Sequence, residues 1–122
     1  MNYEPHNLEP YNMPTLSVIM ATYNEDLNFL SVCIDSILRQ TFQDFELIIV
    51  LEPGEKNKGF LKKVADADKR IMLLENESRL GLSDSRNRAI KESCGKYIAF
   101  IDGDDYCDLS RFEKQLKFLE NN

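Results

Sequence analysis

Four short apolar runs, each followed by a stretch with helical spacing, constrain this chain more than any other feature. Leu16 to Ala21 (LSVIMA), Phe45 to Leu51 (FELIIVL), Ile71 to Leu74 and Tyr97 to Ile101 (YIAFI) are rich in branched and aromatic residues, as expected of strands buried on both faces of a parallel sheet. After the first, Leu30, Cys33, Ile34, Ile37 and Leu38 form one helical stripe over Leu27 to Arg39, with Asp26 as N-cap. Pro53 and Gly54 stop the second run, and Phe60, Leu61, Val64 and Ala65 return to helical spacing. After the third, Ser83 is read as the cap of a helix to Ser93, with Gly95 as its left-handed terminal residue. After the fourth, a Ser110 and Glu113 capping box opens a helix whose stripe is Leu109, Phe112, Leu116 and Leu119.

Strands separated by helices run parallel, and right-handed crossovers place their C-terminal ends on one sheet edge, where such folds bind ligands. The expected fold class is therefore α/β: a Rossmann-like three-layer sandwich with a mainly parallel sheet of about four strands and crossover helices. At 122 residues with 43% apolar side chains the chain suffices for one modest core. The stretch from Met1 to Pro14 is polar and holds three prolines, and residues 1–13 are expected to form a flexible tail, in which His6, the single histidine, is given no role. No basic stretch followed by an apolar run marks a signal peptide there.

Fifteen basic against twenty-one acidic side chains leave a formal charge of -6, which disfavours nucleic acid as a partner. Cys33, Cys94 and Cys107 have neither zinc-site spacing nor the density of a disulfide scaffold, which fits a reducing, cytoplasmic setting. The apolar runs are strand-sized, far short of the ~20 residues that span a bilayer.

The segment richest in chemistry is Phe100 to Tyr106, FIDGDDY. Alternation along extended backbone would point Asp102 and Asp104 the same way, with Gly103 admitting another group close to the chain. Two hard oxygen donors suit Mg²⁺ or Mn²⁺, held jointly with a substrate diphosphate. Alone, such aspartates are equally turn formers. At the same sheet edge Ala21, Thr22, Tyr23 and Asn24 follow the first strand, as the floor of a nucleotide pocket or as an ordinary polar loop. In LGLSDSRNRA, Leu80 to Ala89, a glycine precedes a helix start whose first turns carry Arg86 and Asn87; the helix dipole there attracts anions. Arg86 is then a phosphate partner or a solvated surface arginine, and Arg88 is expected to face solvent. Neither GxxxxGK[ST] nor GxGxxG follows any strand.

In order, SVIMATYNED, SILRQTFQDFELIIV, LGLSDSRNRAI and GKYIAFIDGDDY resemble the start of the family 2 glycosyltransferases, which have the GT-A fold, over about Thr15 to Asn122. The resemblance implies that residues 14–122 are the nucleotide-sugar-binding part of such a domain, truncated before its acceptor-binding part. It places Ala21 and Tyr23 along the nucleoside, Glu52 near the base, Asp102 and Asp104 on a metal-bound diphosphate, and Asp105 behind them. Many members carry paired aspartates where this chain has Leu51, Glu52 and Pro53, so Glu52 substitutes for one of them or the base preference differs. The implied reaction is inverting displacement at the sugar's anomeric carbon. Its base would deprotonate an acceptor hydroxyl while the metal offsets charge on the departing nucleoside diphosphate. The catalytic base is an acidic residue expected beyond Asn122. The implied donor is a UDP-sugar, and the acceptor a glycan or lipid-linked molecule of surface polysaccharide synthesis. Its place would be in the cytoplasm or at the inner face of the membrane, with peripheral attachment through other regions.

Two further readings compete. A DxD after a buried strand also occurs in haloacid-dehalogenase-type phosphatases, but there Thr or Val follows, where this chain has Asp105 and Tyr106. A nucleotide-binding or interaction module that kept the fold without catalysis is the non-enzymatic alternative.

Overall fold

The computed structural model describes residues 13–121, so the N-terminal tail with His6, save Met13, lies outside the described residues. The elements are β1 (Leu16–Thr22), α1 (Leu27–Leu38), β2 (Phe45–Leu51), α2 (Lys58–Ala67), β3 (Ile71–Glu75), α3 (Gly81–Glu92), β4 (Tyr97–Asp102) and α4 (Arg111–Glu120). The chain forms two compact units, one with residues up to Asn24 and Asp44–Asp102, the other with Glu25–Gln43 and the residues from Gly103 onward.

The first unit holds a four-stranded sheet in the order β3-β2-β1-β4, and all three ladders are parallel. This is the α/β, Rossmann-like class that the alternation of runs predicts. Register sets which side chains share a face: Ala21 pairs with Val50 and with Asp102, and Val50 with Leu74, so these four form one row across the sheet. In the row below, Ile19 and Ile48 are fully buried and pack with Val50, Ala89 of α3, Met72 and Leu74. Each such aliphatic side chain contributes roughly 1.5–3 kcal/mol when removed from water.

The chain winds outward from β1 through β2 to β3 and then crosses to the other side of β1 for β4. The strand order therefore reverses between β1 and β4, which opens a crevice beyond their C-terminal ends. β4 is an edge strand, as is β3, and β4 departs from the expected full burial: Ile98 and Phe100 are 40% and 42% exposed. Within the same unit Gly95 is not left-handed. A Cβ there would meet the Ser17 backbone nitrogen and Oγ at 2.6 Å, so glycine is needed for close approach, and its N–H donates to Ser17 Oγ at 2.8 Å. Ser17 Oγ in turn donates to buried Glu46 at 2.6 Å.

In the second unit Asp26 caps α1 as expected, accepting from the Asn28 and Phe29 amides at 2.9 and 3.2 Å. Buried Gln40 stitches the unit together, donating to the Ser36 and Asp108 carbonyls and accepting from the Phe112 amide. Ser110 precedes α4 without making the expected capping box. Its hydroxyl donates to Asp108 at 2.9 Å, and Glu113 accepts from Thr41 at 3.0 Å instead. Phe112 and Leu116 are buried, but Leu109 and Leu119 of the expected stripe are exposed. No helix among the described residues is long and apolar enough to cross a membrane.

Candidate functional site

The crevice at the strand-order reversal is flanked by the ends of β1 and β4, and most of the residues singled out in the sequence stand there. Ala21, the small member of its row, lies beside Asp102 in register. Thr22 is 3% exposed, and its Oγ1 is the buried side-chain polar atom without a hydrogen-bond partner among the described residues. A buried hydroxyl left unpaired costs about 1–3 kcal/mol, a cost that the described residues leave uncompensated at Thr22. Tyr23 follows, 41% exposed, with the Arg79 guanidinium 4.2 Å over its ring.

Asn24 takes a left-handed φ of 54°, which asparagine tolerates better than most residues. A reciprocal clamp holds it there. Its N–H donates to Glu55 Oε1 at 2.9 Å, and its Oδ1 accepts from the Lys56 amide at 2.7 Å. Asn24 therefore secures the loop after β1 to the loop after β2, with Glu55 almost fully buried beneath.

Glu52, at the end of β2, is 7% exposed. Its carboxylate accepts from Asn76 Nδ2 at 2.7 Å, from the Leu80 amide at 3.1 Å and from the Gly81 amide at 2.7 Å. Burial pushes this carboxyl up, but the donors from Asn76, Gly81 and Leu80 and the charge of Arg79 outweigh it and hold it below the usual glutamate value. Glu52 thus caps α3 from a neighbouring strand, satisfying amides that a helix start leaves orphaned. Ser83, the expected cap, is instead the third residue inside α3. Gly81 adopts a φ of 83° at this start, a conformation open to glycine at little cost.

Arg86 leaves α3 toward β4. Its guanidinium is 3.4 Å from Asp102 Oδ1 and 4.8 Å from the centroid of the Phe100 ring. Asn87 is exposed and lines a shallow depression with Leu80, Asp84 and Lys91, so the structure does not join it to Asp102. Arg88 does not face solvent as expected: it donates to Asn76 Oδ1 at 2.7 Å. Asn76 is the residue that the sequence reading missed. A lone asparagine between a strand and a helix carries no spacing signal, and its importance lies in contacts made by folding.

β4 ends at Asp102 and the chain turns at Gly103 and Asp104, so the alternation of extended backbone is not what directs Asp104. Gly103 is buried, and Asp102, Asp104 and Asp105 are exposed. In the second unit Asp104 and Asp105 each offer a carboxylate oxygen within 4.8 Å of the other's. Accessible carboxylates with no soft or imidazole donor among them are the donor set that Mg²⁺ or Mn²⁺ prefers. The residues present fit such an ion.

The model of the family described as glycosyl transferase family 2 matches residues 17–122. An uncharacterized glycosyltransferase of Methanocaldococcus jannaschii is 46% identical over 111 residues, 89% of this chain and 38% of that protein. A UDP-Glc:alpha-D-GlcNAc-diphosphoundecaprenol beta-1,3-glucosyltransferase of Escherichia coli is 36% identical over 107 residues, covering 88% and 42%. The crystal structure of S. aureus TarS 1-349 in complex with UDP-GlcNAc superposes with a TM-score of 0.78 at 23% identity, over 88% of this chain and 31% of that one; this likeness shows the fold. The chain spans well under half the length of these curated relatives. Matched by that family model over nearly all of the described residues, the chain belongs to glycosyl transferase family 2.

Proposed function

We propose that this chain binds the donor of an inverting glycosyl transfer, a nucleoside-diphosphate sugar and specifically a UDP-sugar. The observation that carries the reading is the set of residues at the C-terminal ends of β1 and β4, where the strand order reverses. There Thr22 holds an unpaired buried hydroxyl, the small Ala21 pairs with Asp102 in register, and Arg86 stands against that carboxylate. The nucleoside lies along Ala21, Thr22 and Tyr23, and the diphosphate reaches Arg86 and the aspartates. Asn24 and Glu52 shape the pocket through the loops they hold.

Asp102 and Asp104 are the residues that would hold Mg²⁺ or Mn²⁺, with Asp105 as a supporting carboxylate and Gly103 as the small residue of the turn between them. When bound, the metal supplies positive charge against the diphosphate leaving group. Arg86 adds a fixed cation on the same side, so negative charge that develops on the leaving group meets a preorganised partner. Asn87 is the weakest member of the proposed set, since it stands apart from Asp102. No residue of this chain is proposed as the base that takes the acceptor's proton.

The named activity of the Escherichia coli relative, which uses UDP-Glc and a diphosphoundecaprenol-linked acceptor, supports a glycan or lipid-linked acceptor in surface polysaccharide synthesis. That setting places the chain on the cytoplasmic side of the membrane. Calorimetric titration with UDP, GDP and ADP in Mn²⁺ tests the reading. UDP binding in preference to the purine nucleotides is expected, and equal or absent binding of all three contradicts it.

A further inference from the structure

The buried polar residues behind the crevice form one connected network, and Asn76 is its hub. Asn76 Nδ2 donates to Glu52 at 2.7 Å and to Ser85 Oγ at 2.9 Å, and its Oδ1 accepts from Arg88 at 2.7 Å. Its own amide donates to the Leu51 carbonyl at 2.8 Å. Every donor on this side chain and its carbonyl oxygen are thereby engaged, and the residue is 6% exposed. It has little capacity left to read a ligand.

The helix positions involved follow one face of α3. Gly81, Ser85 and Arg88 stand at i, i+4 and i+7, a single stripe of a helix. Glu52 fixes the helix start at Leu80 and Gly81. Asn76 then fixes its rotation on either side of Arg86, at Ser85 and at Arg88. A slip of one residue would turn the helix by about 100°, and the Arg86 guanidinium would leave both Asp102 and the Phe100 ring.

We infer that Glu52 and Asn76 are positioning residues that act through Arg86, holding α3 in the one register that presents this guanidinium at Asp102 and the donor's diphosphate. This rests on the proposed donor-binding reading, and it deepens that reading by giving Glu52 a place in the frame behind the site, where the family resemblance implies one near the base. Such an arrangement has a physical motive: a fully satisfied buried polar network is rigid, and it specifies one arrangement where a merely apolar contact tolerates sliding.

The test couples Asn76 to Arg86. UDP and uridine are titrated in Mn²⁺ into the native chain, Asn76→Ala, Glu52→Gln, Arg86→Ala and the Asn76→Ala/Arg86→Ala double variant, with Ser85→Ala as the milder substitution should Asn76→Ala not fold. Loss of the positioned cation is expected to weaken UDP about tenfold, the scale of a charge-assisted hydrogen bond, and to leave uridine unchanged. The double variant should bind UDP no worse than Arg86→Ala alone, because a residue that acts only through Arg86 has nothing left to act on. Losses that add in the double variant, an unchanged UDP affinity in Asn76→Ala, or an equal loss of uridine would each overturn the inference.

A second arm needs no ligand. In ¹⁵N-arginine spectra the Arg86 Nε signal should move in Asp102→Asn, and it should move likewise in Asn76→Ala or Ser85→Ala. An Arg86 signal that responds to Asp102→Asn but ignores both network substitutions overturns the inference even if UDP binds. A native chain that binds no UDP contradicts the donor reading, and the spectra then decide the positioning role alone.

Discussion

Replacing Thr22 by valine should make the ligand-free protein more stable and the donor complex weaker, an opposition that few single substitutions produce. Thr22 ends β1, is 3% exposed, and its Oγ1 has no partner among the described residues. The native chain therefore carries the desolvation cost of one hydroxyl, about 1–3 kcal/mol. Valine keeps the branched shape that suits a strand and removes that oxygen. A ligand-free gain of about 1–2 kcal/mol is expected, which for a domain near this size raises Tm by roughly 4–12 °C. If the hydroxyl's partner is the nucleotide, the same change should cost about tenfold in UDP affinity, equivalent to about 1.4 kcal/mol. Urea denaturation at pH 7 of both proteins, with and without saturating UDP and Mn²⁺, measures both effects. The reasoning is refuted if Thr22→Val destabilises the ligand-free chain by more than about 0.5 kcal/mol. It is refuted on its functional side if UDP stabilises the two proteins equally.

Gly95→Ala should destabilise by about 2–4 kcal/mol in the same denaturation assay, since its Cβ would collide with the Ser17 backbone at 2.6 Å and disturb the Ser17 to Glu46 hydrogen bond. The carboxyls of Glu52, Asp68 and Glu75 are all held below their ordinary values. Their stabilising contribution is therefore complete above the unfolded range near pH 4 and is lost as the pH falls through their lower folded values; a pH series of urea midpoints should decline only on the acid side of that range. Burial pushes the Cys33 thiol to about 12, aided by Cys107 and the charge of Asp105. Burial and the Glu46 carboxylate push Cys94 to about 12 as well, so neither should react with a maleimide at pH 7 until denaturant is added.

What the sequence shows of this fold is the part that short-range physics decides. The run Phe45 to Leu51, apolar save for Glu46, has the same limits as β2, because a strand flanked on both sides in its sheet is buried on both faces. Asp26 was legible as a cap because its partners lie two and three residues away. The order β3-β2-β1-β4 was not legible, and with it went the burial of β4. An edge strand and a central one can share an apolar run such as YIAFI, and only the arrangement of the others separates them. The capping of α3 shows the same limit, since a serine at a plausible offset competes with a carboxylate 28 residues away, at Glu52, which wins. At the candidate site, the placing of Ala21 and Asp102 at the ends of β1 and β4 was legible from the strand-sized runs that precede them. The saturation of Asn76 and the turning inward of Arg88 were not, because both depend on partners 9 to 24 residues distant.

The central claim, that this chain holds a nucleoside diphosphate through a metal on its aspartates, is tested most directly by titrating UDP calorimetrically with Mn²⁺ and again with a chelator, on the native chain and on Asp104→Asn. The account predicts binding that requires both the metal and Asp104. UDP binding of equal strength in all four conditions, or in none, would contradict it.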